Sequence, residues 1–207
     1  MDHLVSGGPI PDWTNSNGHS LMRTRGCLSS CDESGFDLRC RTVYGYAKKG
    51  DRAILNVPRI TRVGRHSDRL HSLVMAMHMD GTCHHQVVLG SVNGNIFSQF
   101  IATAPFPPGT VVLLDNHSMH KTAAVRAEAA RLGYTLLFTP PYSPEFNPIE
   151  LMFGSIKGEF YKLRYTPAGL NNVGVGVETC VSETVDPLAV GKCFRHVSQI
   201  IDGVKRF

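Results

Sequence analysis

The segment from Val111 to Lys157, VVLLDNHSMHKTAAVRAEAARLGYTLLFTPPYSPEFNPIELMFGSIK, constrains the fold more than any other. The apolar, β-branched run Thr110 to Leu114 has the composition of a buried central strand and delivers Asp115 at its end. Lys121 to Leu132 is Ala-rich, sets Val125 and Leu132 on one side, and has Gly133 as its natural C-terminal cap. Tyr134 to Phe138 reads as another buried strand, and Pro140 to Pro148 as a rigid, extended turn. Asn147-Pro-Ile-Glu150 then opens a helix, with Asn147 at the N-cap, Pro148 first and Glu150 third. Alternating strands and helices demand layers of helix on sheet.

The upstream half adds antiparallel pairing. Leu70 to Met79 is a strand, Asp80-Gly81 a hairpin turn, and Thr82 to Leu89 the return strand. Asn95 to Ala104 is a short helix starting near Asn93 or Asn95. Cys27 to Phe36 fits a first strand ending near Asp32, although GCLSS is a weak apolar run, as in a frayed strand. Thr42 to Tyr46 suits a second strand or its edge. Residues 1–26, rich in Gly, Ser, Asn and Pro, read as a poorly ordered leader. After Thr166, GLNNVGVGVETCVSETV shows no clean helical period, and Lys192 to Val204 suits a last short helix. The expected fold is an α/β sheet of mixed strand direction with helices on its faces.

Length and composition exclude several classes. A chain of 207 residues with 42% hydrophobic and 18% charged residues is globular and large enough for one core. No apolar stretch spans a membrane, and the N-terminus is not a secretory signal. A formal charge of +4 permits an anionic partner without demanding one. Basic residues cluster at Lys48, Lys49 and Arg52 and at Arg59, Arg62 and Arg65. These are either solvated faces or contacts to a phosphate backbone. The six cysteines lack paired Cys-x-x-Cys knuckles, so reduced thiols in an intracellular protein are the better reading. A zinc site from Cys83, His84 and His85 with Cys27 and Cys31, or from His78, His84, His85, His117 and His120, has no recognisable ligand spacing.

Three carboxylates stand out: Asp32 at a strand end, Asp115 at the central strand end and Glu150 in a first helical turn. On neighbouring elements they would repel one another unless a cation neutralised them. Hard divalent ions prefer such oxygen ligands, and two-metal phosphoryl chemistry uses them. Each also has a plainer reading: Glu150 as a capping-box residue, Asp115 as a turn cap, Asp32 as an ordinary turn aspartate.

The string PPYSPEFNPIELMFGSIK closely resembles the signature of the DDE superfamily endonuclease domain of mariner-type and related insertion-sequence transposases. DNHSMHKT resembles the segment carrying that family's second catalytic Asp, and CDESGFDLRCRTVYGYAKKGDRA its first-Asp region. The resemblance spans about Asp32 to Leu163. It implies an RNase H-like catalytic domain over 27–165, with 166–207 as its C-terminal extension. It implies a metal-binding catalytic triad of Asp32, Asp115 and Glu150, with Asn116 and His120 in support, holding two Mg²⁺ or Mn²⁺ ions. The implied reaction is cleavage at transposon ends followed by strand transfer into target DNA. The implied partners are DNA and a second copy of the chain. Full-length relatives carry helix-turn-helix modules ahead of this domain, whereas 31 residues precede Asp32 here. A separate DNA-binding subunit, or a silent remnant that binds nucleic acid without cleaving it, is therefore a competing expectation. The compartment implied is the nucleus or the bacterial nucleoid.

Overall fold

The computed structural model describes residues 28–38, 46–54, 70–163 and 172–204. Five strands form one sheet: β1 (Leu28–Phe36), β2 (His71–His78), β3 (Cys83–Leu89), β4 (Val111–Leu114) and β5 (Thr135–Phe138). Their order is β3-β2-β1-β4-β5. The first three pair antiparallel, while β4 joins β1, and β5 joins β4, in parallel. Helices α1 (Gly94–Thr103), α2 (Ala123–Leu132), α3 (Pro148–Leu163), α4 (Val173–Thr184) and α5 (Pro187–Val204) cover the two faces.

Side-chain alternation along the strands builds two cores. Leu73, Met75 and Met77 of β2 and Leu113 of β4 face Ile149, Met152, Phe153, Ile156 and Phe160 of α3, and the same cluster takes in Val177, Cys180 and Val181 of α4 and Val190, Phe194 and Val197 of α5. On the other face, Cys31, Val74, Ala76, Val112 and Leu114 meet Phe97, Phe100 and Ile101 of α1 and Val125 and Ala129 of α2. Being covered on both sides, β2 is apolar without a break from Leu73 to Met77, although its neighbours run antiparallel to it. The buried residues of α3 recur at the three- and four-residue steps of one helical stripe. Phe160 closes that stripe against Phe36, ring edge to ring face at 5.3 Å.

Several local expectations change. The first strand does not stop at Asp32. It runs nine residues to Phe36, buried nearly throughout, with Asp32 opposite Met75. Ser30 is not a weak point: its small side chain admits the start of α3 against the strand and forms hydrogen bonds there. β5 is an edge strand, half-buried at best. The helix expected from Lys121 is split into a 3₁₀ turn, Ser118–Lys121, and α2 proper, separated by Thr122 in an extended conformation. Gly133 closes α2 in the left-handed region at φ 73°, as its position suggested.

The stretch without an evident period is α4. Asn172 caps it by accepting from the Val175 amide at 3.2 Å. Its buried positions, Val173, Gly176, Val177, Cys180 and Val181, do follow helical spacing. Gly176 lies on that buried stripe against Phe160, whose ring a β-carbon there would meet at 3.4 Å, an ordinary packing distance. The residues 39–45, including most of the expected Thr42 to Tyr46 strand, lie outside the described residues, as does the 1–26 leader.

Candidate functional site

β4 pairs with β1 only over Leu28–Ser30, so the parallel ladder ends just short of Asp32. Asp115 is the first residue beyond β4. Two adjacent parallel strands thus present one carboxylate each at the same end of the sheet, where such sheets place their ligands. The chain after Asp115 then doubles back. The Asp115 carboxylate accepts the His117 amide at 2.9 Å, and the His117 ring accepts the Met119 amide at 3.4 Å, which starts the 3₁₀ turn. That turn brings His120, fully buried, back over the carboxylates.

His120 bridges two acids. Its Nδ1 lies 2.6 Å from Asp115 Oδ1 and its Nε2 lies 2.9 Å from Glu33 Oε2. With an acid on each nitrogen the ring donates from both and carries a positive charge. Burial alone would lower its pKa, but the bonds to Asp115 and Glu33 outweigh this and raise it to about 9. Asp115 is held below the usual carboxylate range: partial burial raises it, but the bonds from His120 and the His117 amide prevail. Asp32 goes the other way. Burial, then the charges of Asp115 and Glu33, push its carboxyl up to about 8. Too much negative charge is packed here for one imidazolium to balance.

Asp32 is also held mechanically. Its Oδ1 accepts the Glu33 amide at 2.8 Å, and its Oδ2 accepts Asn147 Nδ2 at 3.1 Å. Asn147 therefore does not cap α3 with its side chain, as its position suggests. Its carbonyl oxygen instead accepts the Ser30 hydroxyl, and Ser30 Oγ accepts the Ile149 amide at 3.2 Å. A serine from the central strand takes over the capping role, and the start of α3 is sewn to β1 beside Asp32. The capping-box reading of Glu150 also fails, because the Asn147 amide donates to Pro144 O at 2.9 Å.

Glu150 is left to face a cleft of about 430 Å³ that it lines with Asp115, Asn116 and Asn147, walled by Pro140, Pro141, Tyr142 and Pro144. Partial enclosure raises its carboxyl, Lys157 lowers it, and Asp115 and Glu33 raise it again, so it feels the other acids across the cleft. Tyr142 stands fully exposed in the wall, in the left-handed region at φ 57°. A non-glycine residue pays about 1–2 kcal/mol for that conformation.

Asp32, Asp115 and His120 offer ligand atoms all within 4.8 Å of one another. The donors that fit a divalent ion are the carboxylate oxygens of Asp32 and Asp115, because both His120 nitrogens are already engaged; Glu150 lines the cleft with Asp115 but lies outside this close group. Crowded hard oxygens, with the Asp32 carboxyl pushed up to about 8 by burial and then by its neighbours' charge, are a donor set suited to a hard divalent cation.

The other candidates sit elsewhere. Asn116 accepts from Lys121 Nζ at the cleft margin. Lys48, Lys49 and Arg52 are exposed and do not line the cleft. Arg59, Arg62, Arg65 and Cys27 lie outside the described residues. The zinc groupings come apart because neighbouring strand residues point to opposite faces. His84 stacks on Phe100 of one core, whereas its neighbour His85 pairs with Glu178 of α4 on the other side. His78 is buried against Phe106, and His117 starts the 3₁₀ turn. Sequence reasoning assigned no role to Glu33, Ser30 or Tyr142. Glu33 follows Asp32 directly, and only a strand that continues past Asp32 turns it to the face where His120 lies.

Residues 28–168 match the family model of the DDE superfamily endonuclease. Among solved structures, the Mos1 strand transfer complex superposes with a TM-score of 0.61 at 14% identity, over 90% of this chain and 55% of that one. A Mos1 mariner paired-end complex with Mn gives 0.60 at 16% identity, over 84% and 53%. The catalytic domain of Mos1 mariner transposase gives 0.58 at 13%, over 90% of this chain and 82% of that domain. No curated protein sequence matches. The chain thus spans about half the length of the transposases in those complexes and most of their catalytic domain. With its sheet order, its carboxylates gathered where the β1–β4 ladder ends and the family match over most of its length, the chain has an RNase H-like fold and belongs to the DDE superfamily endonuclease family.

Proposed function

We propose that this chain cleaves DNA phosphodiesters and transfers strands at transposon ends, using Asp32, Asp115 and Glu150 to hold two Mg²⁺ or Mn²⁺ ions. The observation that carries this reading is the clustering of Asp32, Glu33 and Asp115 around His120, with Asp32 raised to about 8 by burial and by Asp115 and Glu33. Such a cluster costs stability unless cations enter it. When bound, divalent ions supply charge neutralisation to the reacting phosphate and make the attacking water or 3′-hydroxyl more acidic.

The chain's own side chains do the positioning. Asn147 fixes one Asp32 oxygen, and His120 and the His117 amide both fix Oδ1 of Asp115, leaving its second oxygen toward the cleft. Preset ligands of this kind lower the reorganisation needed as charge develops. His120 keeps its protons at Nδ1 and Nε2, so it orients the carboxylates without competing for the ion. DNA is the partner this chemistry needs, with a second copy of the chain to hold the second end and a separate subunit as one source of end recognition. The matched transposases are seen as paired-end and strand-transfer complexes.

Titration calorimetry with Mn²⁺ tests the metal site. Binding that is abolished in Asp115→Ala and weakened at least tenfold in Glu150→Ala fits the proposal. A folded wild-type chain with no Mn²⁺ heat, or variants that bind as wild type does, overturns it in favour of a silent nucleic-acid-binding domain.

A further inference from the structure

Among the described residues, Tyr142 is the one non-glycine residue with positive φ, and its ring is fully exposed. Both features are costly, and neither serves the core. Large aromatic rings are normally covered, and the left-handed region favours glycine or asparagine. The loop nevertheless fixes the backbone that carries the ring. Pro141 precedes it and Pro144 follows, Ser143 Oγ donates to Pro141 O at 3.3 Å, and the Asn147 amide closes the next turn onto Pro144 O. Five residues on, Asn147 is bonded to Asp32 itself. The backbone at Tyr142 is therefore referenced to the carboxylates through a short, proline-stiffened segment. The ring lines the same cleft as Asp115 and Glu150, among prolines and without a cation of its own.

We propose that Tyr142 is a stacking platform for a nucleobase adjacent to the phosphodiester that the acid cluster engages. This rests on the endonuclease reading and deepens it. A phosphate brought to the strand ends carries its neighbouring bases to the cleft wall. Among the described residues the cleft wall has no Lys or Arg to pair with a phosphate, whereas an aromatic face fits any base. A base that leaves its helical stack to reach the ring is one at a nick, an end or a distorted step, where unstacking costs least. Tyr142 is thus a substrate-positioning residue, and its contribution comes from the ring face and not the hydroxyl.

The test uses a short duplex with a single-stranded 3′ overhang carrying 2-aminopurine at the junction, bound in Ca²⁺, with plasmid nicking in Mn²⁺ measured in parallel. Wild type and Tyr142→Phe are expected to quench the probe and bind alike. Tyr142→Ala and Tyr142→Gly are expected to lose the quench and bind roughly 5- to 150-fold more weakly, the range for loss of one stacked base. The glycine variant keeps the left-handed backbone without strain, so a loss shared by both variants belongs to the ring. Equal binding and quenching by wild type, Tyr142→Ala and Tyr142→Gly overturns the stacking role. If wild type nicks plasmid in that case, the endonuclease reading stands and stacking alone fails. A wild type that neither nicks nor binds DNA overturns both.

Discussion

The His120 ring donates from Nδ1 to Asp115 at 2.6 Å while wholly shielded from water. The same ring donates to Glu33 from its other nitrogen at 2.9 Å. One imidazolium therefore stands in for part of the positive charge that the acid cluster lacks, and its removal leaves two acids facing each other. His120→Ala is expected to lower the stability of the metal-free chain by on the order of 2 kcal/mol, less than a wholly buried pair because Asp115 is half open to solvent. Urea denaturation in EDTA measures it. A loss below about 0.5 kcal/mol would show that the bridge contributes little.

The charge pattern gives stability a pH dependence of definite sign. His120 titrates near 6.5 when unfolded and about 9 when folded, so its stabilisation is complete below 6.5 and is lost as pH rises toward 9. Asp32 ionises near 3.8 when unfolded and about 8 when folded, so the fold again holds the extra proton and stability falls as pH rises between those values. Both act together from about 6.5 to 8. The metal-free melting temperature should fall across that interval and continue falling more gently to about 9, and Mg²⁺ should remove much of the drop by replacing protons. A melting temperature in EDTA that rises or stays level from pH 6.5 to 9 contradicts this charge account.

Asn147 couples helix to strand, so its side chain matters beyond its own turn. Asn147→Ala removes the donor to Asp32 and the acceptor for Ser30, at a cost of about 1–3 kcal/mol for the buried groups left unpaired. It should also weaken Mn²⁺ binding, because Asp32 is then free to rotate. If calorimetry finds stability reduced but Mn²⁺ affinity unchanged, the bond serves the fold and not the site.

Phe160 packs edge-on against Phe36 and under Gly176, joining α3, β1 and α4 at one point. Phe160→Ala should cost about 3–5 kcal/mol, read from the urea midpoint. A cost under 1 kcal/mol would mean that α4 does not pack on this stripe.

Much of this was legible in the residues. The runs at Val111–Leu114 and Leu73–Met77 are apolar because they are covered on both faces, and the caps at Asn93 and Gly133 are local chemistry that needs no partner. What stayed hidden depends on long-range contacts. Ser30 looks like a poor strand residue until α3 is set against it. Val175 is exposed and two glycines interrupt α4, so its buried stripe is masked in sequence. Asn147 has a capping residue's address, but its side chain is claimed by a strand more than a hundred positions away. The acids were singled out by their expected places on the elements, whereas their neighbours Glu33 and Ser30 emerge only once the strand is seen to continue and α3 to pack on it.

The most direct measurement is nicking of supercoiled plasmid by the purified chain with Mn²⁺ or Mg²⁺, beside Asp32→Asn, Asp115→Ala and Glu150→Ala. The account predicts metal-dependent conversion to open circles by wild type, with the rate reduced at least a hundredfold in each variant while circular dichroism stays native. Nicking that persists in the variants or in EDTA, or its absence from a folded wild-type chain that binds Mn²⁺ and DNA, contradicts the claim that these three carboxylates carry a metal-dependent cleavage reaction.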